Sequence, residues 1–596
     1  MSLKKTLVDS TPPPGSSLLY DAAHHHWWYG QNPCATRIAR SLAEVMPILK
    51  ETERLVRRRG WSATAFIAYE AAPAFDPSLR VLPDTGFPLL HINLYHTLHP
   101  IRLPPVTNLP PSPADPPWKP SIPATRYRRC IQKIHDYIRQ GDTYQVNYTF
   151  RLLTHLSADP WIRFRLLTAT RPPYAAWMDT GDWILASASP ELFFRLDGNT
   201  IWSRPMKGTA PRGLTSEADL ALAETLRHSA KDRAENVMIL DMVRNDLGRI
   251  AIPGTVHPSR CFTVEQYPTV WQMTSTVRAQ TRAGLPAILE ALFPPASITG
   301  APKVHTMEII AELETRPRRI YTGAMGWIRP GNQAQFNVAI RTLLVNRSTG
   351  QAEYGVGGGI VWDSTADREY AECATKARIL SAPVDPPFHL LETLRWTPGA
   401  GYDLRERHLE RLRQSARYFG YRCSIPKIQR LLDGHARKFP PVPHRVRLCV
   451  SATGHPVVQA FPMPESPVNS LLKVTLAPAP VDASNRFLYH KTTCRAVYET
   501  ARQQCPGYDD VILWNHRREI TESTIANIAV RIGRRWITPP VACGLLPGTF
   551  RAAALADGWL HEAVIPVDAL RDRPSILLMN SVRGRYRVHL DFPPSG

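Results

Sequence analysis

Cysteine is scarce in this chain, with nine residues at positions 34, 130, 261, 373, 423, 449, 494, 505 and 543. No two form a C-x-x-C pair and the number is odd, which argues against a disulfide framework or a zinc site and for reduced thiols. Long apolar runs are missing as well, so no segment is suited to cross a bilayer. The start, MSLKKTLVDSTPPPGSS, has two lysines but no apolar stretch of signal-peptide length behind them. A cytoplasmic protein with no membrane partner is expected. Acidic side chains are outnumbered, 51 to 72, for a net charge of +21. Such a balance raises nucleic-acid binding as a rival reading. The arginines are nevertheless spread along the whole chain, and no RNA or DNA motif accompanies them. Anionic small molecules are the expected partners, not nucleic acid.

What is present is a chain of 596 residues, 43% of them hydrophobic, which favours two or more domains with sizeable cores. Residues 1–120 hold a helical pattern in TRIARSLAEVMPILKETERLVRRRG and a strand-like AFIAYEAA. They end in the stiff proline-rich connector LPPVTNLPPSPADPPWKP. Residues 121–382 predict strands at WILASAS, LFFRL and TIWSRP. One long helix is expected over ADLALAETLRHSAKDRAENVMILDMVRNDLG and a terminal one over DREYAECATKARIL. Runs of strands with helices grouped between them predict an α+β fold. A second proline cluster, SAPVDPP, precedes residues 383–596, where FHLLETLRW opens a new strand pattern and LRERHLERLRQSARYFG is an amphipathic helix with a glycine stop. The run His24-His25-His26 is followed by two tryptophans, so a packed or solvated segment is expected there before a metal site.

Several patterns carry chemistry. In SRPMKGTAPRG, Lys207 is either a solvated surface charge or a neutral amine ready to attack an electrophile, with Arg204 and Arg212 flanking it. In KDRAENVMILDMVRNDLGRI, Lys231 and Glu235 share a helix face, with Val237, Leu240 and Val243 on the apolar side. In DREYAECATKARIL, helical spacing places Glu369, Glu372 and Lys376 on one face. Just before it, Gly357, Gly358 and Gly359 let backbone approach a ligand closely. Magnesium needs only one or two protein carboxylates, and Glu235 and Glu372 are the candidates.

These segments, with SASPELFFRL, ASITGAPKVHTMEII, YTGAMGW and FNVAIRTLLV, resemble in order the chorismate-utilising enzymes over roughly residues 125–380. Within that family Pro-x-Lys-Gly-Thr resembles aminodeoxychorismate synthase component I, whereas anthranilate synthase has alanine at the lysine. The resemblance implies a two-sheet sandwich. It implies that Lys207 is a nucleophile, that Glu191 is the general acid/base for the substrate hydroxyl, and that Glu235 and Glu372 hold Mg2+. Tyr321, Arg341 and Lys376 would hold the substrate's carboxylates, and Thr299 with Gly357, Gly358 and Gly359 would line the pocket. Gln272 stands where many relatives have histidine, so no proton-shuttle role is carried over. Ammonia would come from a separate glutamine amidotransferase subunit (component II), since no third section is left to hold one.

In the second half, Lys491 in FLYHKTTCRAVYETA, Glu522 in EITESTIANIAV, the turn and helix of CGLLPGTFRAAALADG and the polar turn in LLMNSVRGRY follow in order. Together they resemble the class IV pyridoxal-phosphate enzymes over about 388–590. This implies a two-subdomain aminotransferase-like α+β domain that commonly dimerises. Lys491 would carry pyridoxal 5'-phosphate as a Schiff base, and Glu522 would pair with its pyridine nitrogen. Arg411, the amides near Thr549 and Phe550, and Ser581 would hold its phosphate. The fusion implies both steps of 4-aminobenzoate synthesis for folate, amination of chorismate and then elimination of pyruvate. A class IV transaminase in the second half, or an anthranilate- or isochorismate-type first half, is the alternative.

Overall fold

The computed structural model describes residues 11–84, 86–103, 116–380, 386–463 and 471–591. Most of the first proline-rich connector and of SAPVDPP lies outside the described residues. The chain divides into two compact units, residues 1–211 with 223–384, and residues 212–222 with 385–596.

The first unit is built on two antiparallel sheets, and strands from before residue 102 enter both. One sheet orders Gly300–Ala301, Gln145–His155, Gln351–Ile360, Thr342–Asn346, Trp183–Ser189, Tyr174–Asp179, Ser17–Asp21, His26–Gly30 and His99–Ile101. The other orders Met206–Pro211, Val270–Gln280, Thr200–Arg204, Leu192–Asp197, Gln333–Val338, Ala324–Arg329, Ser62–Ile67, Leu90–Tyr95 and Ala35–Ala39. Large apolar side chains such as Phe194 and Phe336, with stacked rings, fill the core on the second sheet.

Local chemistry shifts three of the expected elements. The helix at the N-terminal end starts only at Leu42, because Ala35–Ala39 pairs as a strand with Leu90–Tyr95. The Glu44 carboxylate then accepts the Ser41 N–H at 2.9 Å and fixes the helix start. The strand in AFIAYEAA stops at Ile67, and Tyr69–Ala74 is a 3-10 turn. The long helix expected over 218–248 is two, Ser216–His228 and Ala230–Gly248, because Ser229 takes an N-cap conformation and its hydroxyl accepts the Asp232 N–H.

The second unit has a four-stranded antiparallel sheet, ordered Gly401–Tyr402, Leu390–Thr397, His444–Val450 and Pro456–Pro462. The helices Arg405–Phe419 and Ile425–Ala436 cover its apolar face through Leu409, Leu412, Ile428 and Leu432. An eight-stranded mixed sheet runs Ile520–Ser523, Asp510–Trp514, Leu472–Leu476, Gly584–Leu590, Ile576–Asn580, Asn527–Ile532, Arg535–Thr538 and Leu560–Glu562. Residues 212–222, expected within the first catalytic section, are built into this unit. Arg212 pairs with Asp219 at 2.7 Å and donates to the Tyr418 carbonyl at 2.8 Å, and Leu214 packs beside Leu488 and Tyr489.

Candidate functional sites

The first site forms where the strand Met206–Pro211, the glycine-rich strand Gln351–Ile360 and the helices Ala230–Gly248 and Ala366–Ala377 bring their polar groups together. Gly357, Gly358 and Gly359 pair in register with Thr149, Tyr148 and Asn147. A side chain at Gly357 would drive a β-carbon to 2.4 Å from the Tyr148 carbonyl oxygen, so that position takes only glycine. At Gly359 the same carbon would meet the Lys207 amine at 2.5 Å and the Gln145 amide carbon at 3.0 Å. The bare backbone there leaves room for a lysine head.

Lys207 has its pKa lowered, first by burial and then by the charge of Lys376, while Glu235, Glu191 and Glu372 work the other way. The flanking arginines are not the cause. Arg204 is paired with Glu265 and Arg212 with Asp219. Burial likewise raises Glu235, against the charges of Lys207 and Lys231. Burial also works to raise Glu372, but the Lys376 charge and its 2.9 Å ion pair outweigh it and leave the carboxyl below its usual range. Lys376 also donates to the Gly357 carbonyl at 2.7 Å, and Glu369 accepts the Ser364 hydroxyl at 2.7 Å. Glu191 is buried, accepts a hydrogen bond from Ser297, and is pushed up to about 7 by burial. It is therefore able to carry a proton near neutrality.

The remaining expected residues are placed as follows. The Thr299 hydroxyl is turned to the carbonyls of Pro295 and Ala296. Tyr321 packs its ring beneath Gly355, with the Arg151 guanidinium 4.9 Å from the ring centre. Arg341 sits half-buried in a left-handed conformation, φ 50°, just ahead of the strand Thr342–Asn346. Gln272 is buried, with its amide donating to the Gly208 carbonyl at 2.8 Å and accepting from Thr209 at 3.0 Å. It thus braces the Lys207 strand instead of moving protons.

Two groups here escaped the sequence reading. Gln145 is fully buried beside Lys207, and neither of its amide atoms has a hydrogen-bond partner among the described residues. Such groups are costly to bury unless something completes them. The second is Arg318, buried with Glu314 and donating to it at 2.7 and 3.0 Å, while also holding the carbonyls of Asn147 and Ile298. It fastens the Gln145 strand to the Thr299 segment. Arg318 reaches the Asn147 carbonyl, 171 positions away, and Gln145 meets Lys207 from a separate strand, which no local pattern encodes. His24 and His25 are exposed, with His24 on Asp21 at 2.9 Å, and only the His26 ring packs, edge-on to Trp28. Among the described residues no three His, Cys, Asp or Glu side chains converge as a metal-ligating group.

The second site is a cavity of about 380 Å3 between the two sheets of the second unit, lined among others by Lys491, Glu522, Arg411, Thr549, Phe550 and Ser581. Burial, then the charge of Arg411, lowers Lys491 to about 8. Burial raises Glu522 to about 7, against hydrogen bonds from Tyr498 at 2.8 Å and the Leu546 N–H at 3.1 Å. Asn527 adds a third donor to Glu522 at 3.2 Å. The helix Thr549–Ala556 turns its N-terminus, capped by Gly548, to the same cavity. Ser581 donates to the Thr393 carbonyl at 3.2 Å.

Arg411 is more committed than the sequence implied. Its guanidinium forks onto Glu392 at 2.9 and 2.7 Å and reaches the Pro547 carbonyl at 3.1 Å. Burial works to raise Glu392, but the Arg411 charge and the His408 bond overcome it, and its pKa falls to about 2. Burial also lowers His408. The neutral ring then donates from Nδ1 to Glu392 and accepts at Nε2 from the Thr549 hydroxyl, at 2.6 and 3.2 Å. Glu392 and His408 were not singled out in the sequence, since each looks like an ordinary strand or helix residue.

Each unit thus sets one lysine of depressed pKa among carboxylates, which defines a two-site protein suited to amine chemistry. The family follows from the chain itself. Residues 15–382 match the chorismate binding enzymes and residues 389–590 match amino-transferase class IV, and the chain belongs to the chorismate binding enzyme family. It is 41% identical over 254 residues to aminodeoxychorismate synthase component 1 of Bacillus subtilis, covering 42% of this chain and 54% of the relative. It is 40% identical over 263 residues to anthranilate synthase component 1 of Thermus thermophilus, covering 44% and 56%. The chain spans about half the length of these curated relatives. The fold resembles that of anthranilate synthase component I from Streptococcus pneumoniae, with a TM-score of 0.50 at 23% identity, covering 64% of this chain and 95% of that one. Among the described residues no helix is long and apolar enough to cross a membrane.

Proposed function

We propose that the protein converts chorismate to 4-aminobenzoate in two steps, one at each lysine. The observation that carries the reading is the amine of Lys207, lowered in pKa and lying over Gly359 among Glu191, Glu235 and Glu372. In the first step the neutral amine attacks C2 of chorismate. The ring double bonds shift, and the C4 hydroxyl leaves as water with the proton held by Glu191. Ammonia then adds at C4 and expels the lysine, giving 4-amino-4-deoxychorismate. Arg341, Tyr321 and Lys376 are the candidates to hold the substrate's carboxylates, with Thr299 and the three glycines as pocket lining.

Glu235 and Glu372 fit magnesium, because two carboxylates act on the same lysine and a ligand carboxylate with waters would complete an oxygen shell. The ion, when bound, supplies positive charge against a ring carboxylate. Relatives named component 1 support a separate component that delivers ammonia from glutamine.

The second unit fits pyridoxal 5'-phosphate by its donor set: an amine, an opposed carboxylate and a helix N-terminus around one cavity. The cofactor, when bound, supplies an electron sink. Lys491 would anchor it and, once displaced, would take the C4 proton as pyruvate leaves and the ring aromatises. Glu522, held by Tyr498 and Asn527, would face the pyridine nitrogen. The amides of Thr549 and Phe550, Ser581 and the uncommitted N–H groups of Arg411 would receive the phosphate. A homodimer through this unit is part of the proposal.

The test is to incubate the full chain with chorismate, ammonium and magnesium and identify the product. 4-Aminobenzoate is expected, and Lys491→Ala should accumulate 4-amino-4-deoxychorismate in its place. Anthranilate or isochorismate as the product would overturn the first step, and undiminished 4-aminobenzoate from Lys491→Ala would overturn the second. An anthranilate-forming reading, open through the Thermus relative, is opposed by the lysine at 207.

A further inference from the structure

The strand His444–Val450 alternates sharply. Val446 and Leu448 are fully buried in the apolar core beneath the sheet, while Arg445 and Arg447 are exposed on the opposite face. Both arginines line the cavity that holds Lys491 and Glu522. Residues two apart on a strand share a face with their Cα atoms about 6.7 Å apart. Arg447 stands opposite Thr393 in the ladder, and Thr393 is itself a wall of the cavity.

The other cationic groups of the cavity are engaged. Arg411 is neutralised by Glu392, Arg495 donates to the Thr524 carbonyl and lies over the Tyr498 ring, and Arg583 lies 5.7 Å over the Tyr586 ring. Arg447, by contrast, has no hydrogen-bond or ion-pair partner for its side chain among the described residues, and Arg445 has only the face of Phe461 at 5.2 Å. The cavity's carboxylate, Glu522, is buried and already holds three donors. Arg445 and Arg447 therefore face the cavity side by side from one strand face with no anion of their own. One phosphate has its receptors elsewhere, at the helix N-terminus and Ser581. The unmatched pair fits two further negative charges on one ligand.

We infer that Arg445 and Arg447 form a recognition wall for a dicarboxylate amine and set the preference of this site for it over monocarboxylic amino acids. The inference deepens the lyase reading and rests on it for the identity of the amine, since 4-amino-4-deoxychorismate bears two carboxylates. Each guanidinium can take a carboxylate in a two-pronged hydrogen bond. A wall of this kind also explains a cavity whose free charge exceeds what a cofactor phosphate requires.

The test uses the full chain loaded with pyridoxal 5'-phosphate and reads ligand binding through the cofactor's visible absorption. Isophthalate is the dicarboxylate probe and benzoate the monocarboxylate control. Wild type should bind isophthalate about 10- to 100-fold more tightly than benzoate, the range of one charge-assisted pair. Arg445→Gln and Arg447→Gln should each reduce that ratio, and Arg447→Lys should restore part of it. With 4-amino-4-deoxychorismate the Gln variants should raise KM by a similar factor while kcat falls far less. Equal binding of both probes by wild type, or an unchanged ratio in both Gln variants, overturns the inference. So does loss of the cofactor from the Gln variants, which would make these arginines phosphate anchors. A preserved dicarboxylate preference without pyruvate release would sink the lyase reading and leave the wall standing.

Discussion

The Lys207 amine lies directly over Gly359, at a place where a β-carbon on the glycine would sit 2.5 Å from Nζ. Glycine at this position is what lets the lysine reach inward, and the Gln145 amide closes the other side at 3.0 Å from the same point. Gly359→Ala should therefore displace the amine while sparing the fold, because the nearest atoms belong to the ends of two side chains. Amination should fall about 100-fold, the usual effect of a misplaced reacting group. Single-turnover amination with circular dichroism and a thermal melt checks it; a rate within a fewfold of wild type would count against the placement.

Gln145 supplies a related test. Its two unpartnered amide atoms beside Lys207 favour a ligand that completes them. Gln145→Leu, close in volume, should keep or slightly raise the melting temperature and weaken amination by about 10-fold or more, the scale of one or two hydrogen bonds. Unchanged amination would make this residue a bystander.

The pH dependence of amination follows from Glu191, raised by burial to about 7. It holds its proton below that value and loses it above, so the acid form needed for departure of the C4 hydroxyl fades as pH rises through about 7. The rate profile should show this descending limb with ammonia held saturating, and Glu191→Gln should abolish the limb and lower the rate throughout.

Acid stability of the second unit should follow Glu392, depressed from 4.5 to about 2 by Arg411 and His408. A lowered carboxyl stabilises the fold above its unfolded pKa and loses that contribution as pH falls through the folded value. The loss is expected between about pH 4.5 and 2 and should reach the order of 3 kcal/mol. Denaturant melts of wild type should weaken over that window. Glu392→Gln should start less stable and show a flatter acid limb.

In the first unit, Arg318→Leu leaves Glu314 buried without its partner and should cost about 3–5 kcal/mol in a denaturant melt. The double variant Arg318→Leu with Glu314→Leu should recover part of that, since no charge is then stranded.

The chain order of motifs was enough to place Lys207, Glu191, Glu235, Glu372 and Lys376 in one region and Lys491 and Glu522 in another. Short segments carry these residues with their neighbours, and the helix Ala366–Ala377 was readable from periodicity, whereas the glycine run, read only as a close backbone approach, lies inside the strand Gln351–Ile360. The break at Ser229 was missed because the apolar pattern runs through it, and only the cap hydrogen bond interrupts the backbone. The start of the first helix was misjudged because Ala35–Ala39 becomes a strand only by pairing with Leu90–Tyr95, a partner that local pattern does not announce.

The amino-acid order alone determined which side chains are available and what chemistry each can perform, since pKa, nucleophilicity and charge begin as properties of residue types. It could not say which of them are desolvated together. Tertiary structure decided that a lysine at 207 is stripped of water beside Gln145, that Arg204 and Arg212 are occupied elsewhere, and that Glu392 and His408 hold Arg411. Burial and the distance between charges set these outcomes, and both arise from contacts between segments far apart along the chain.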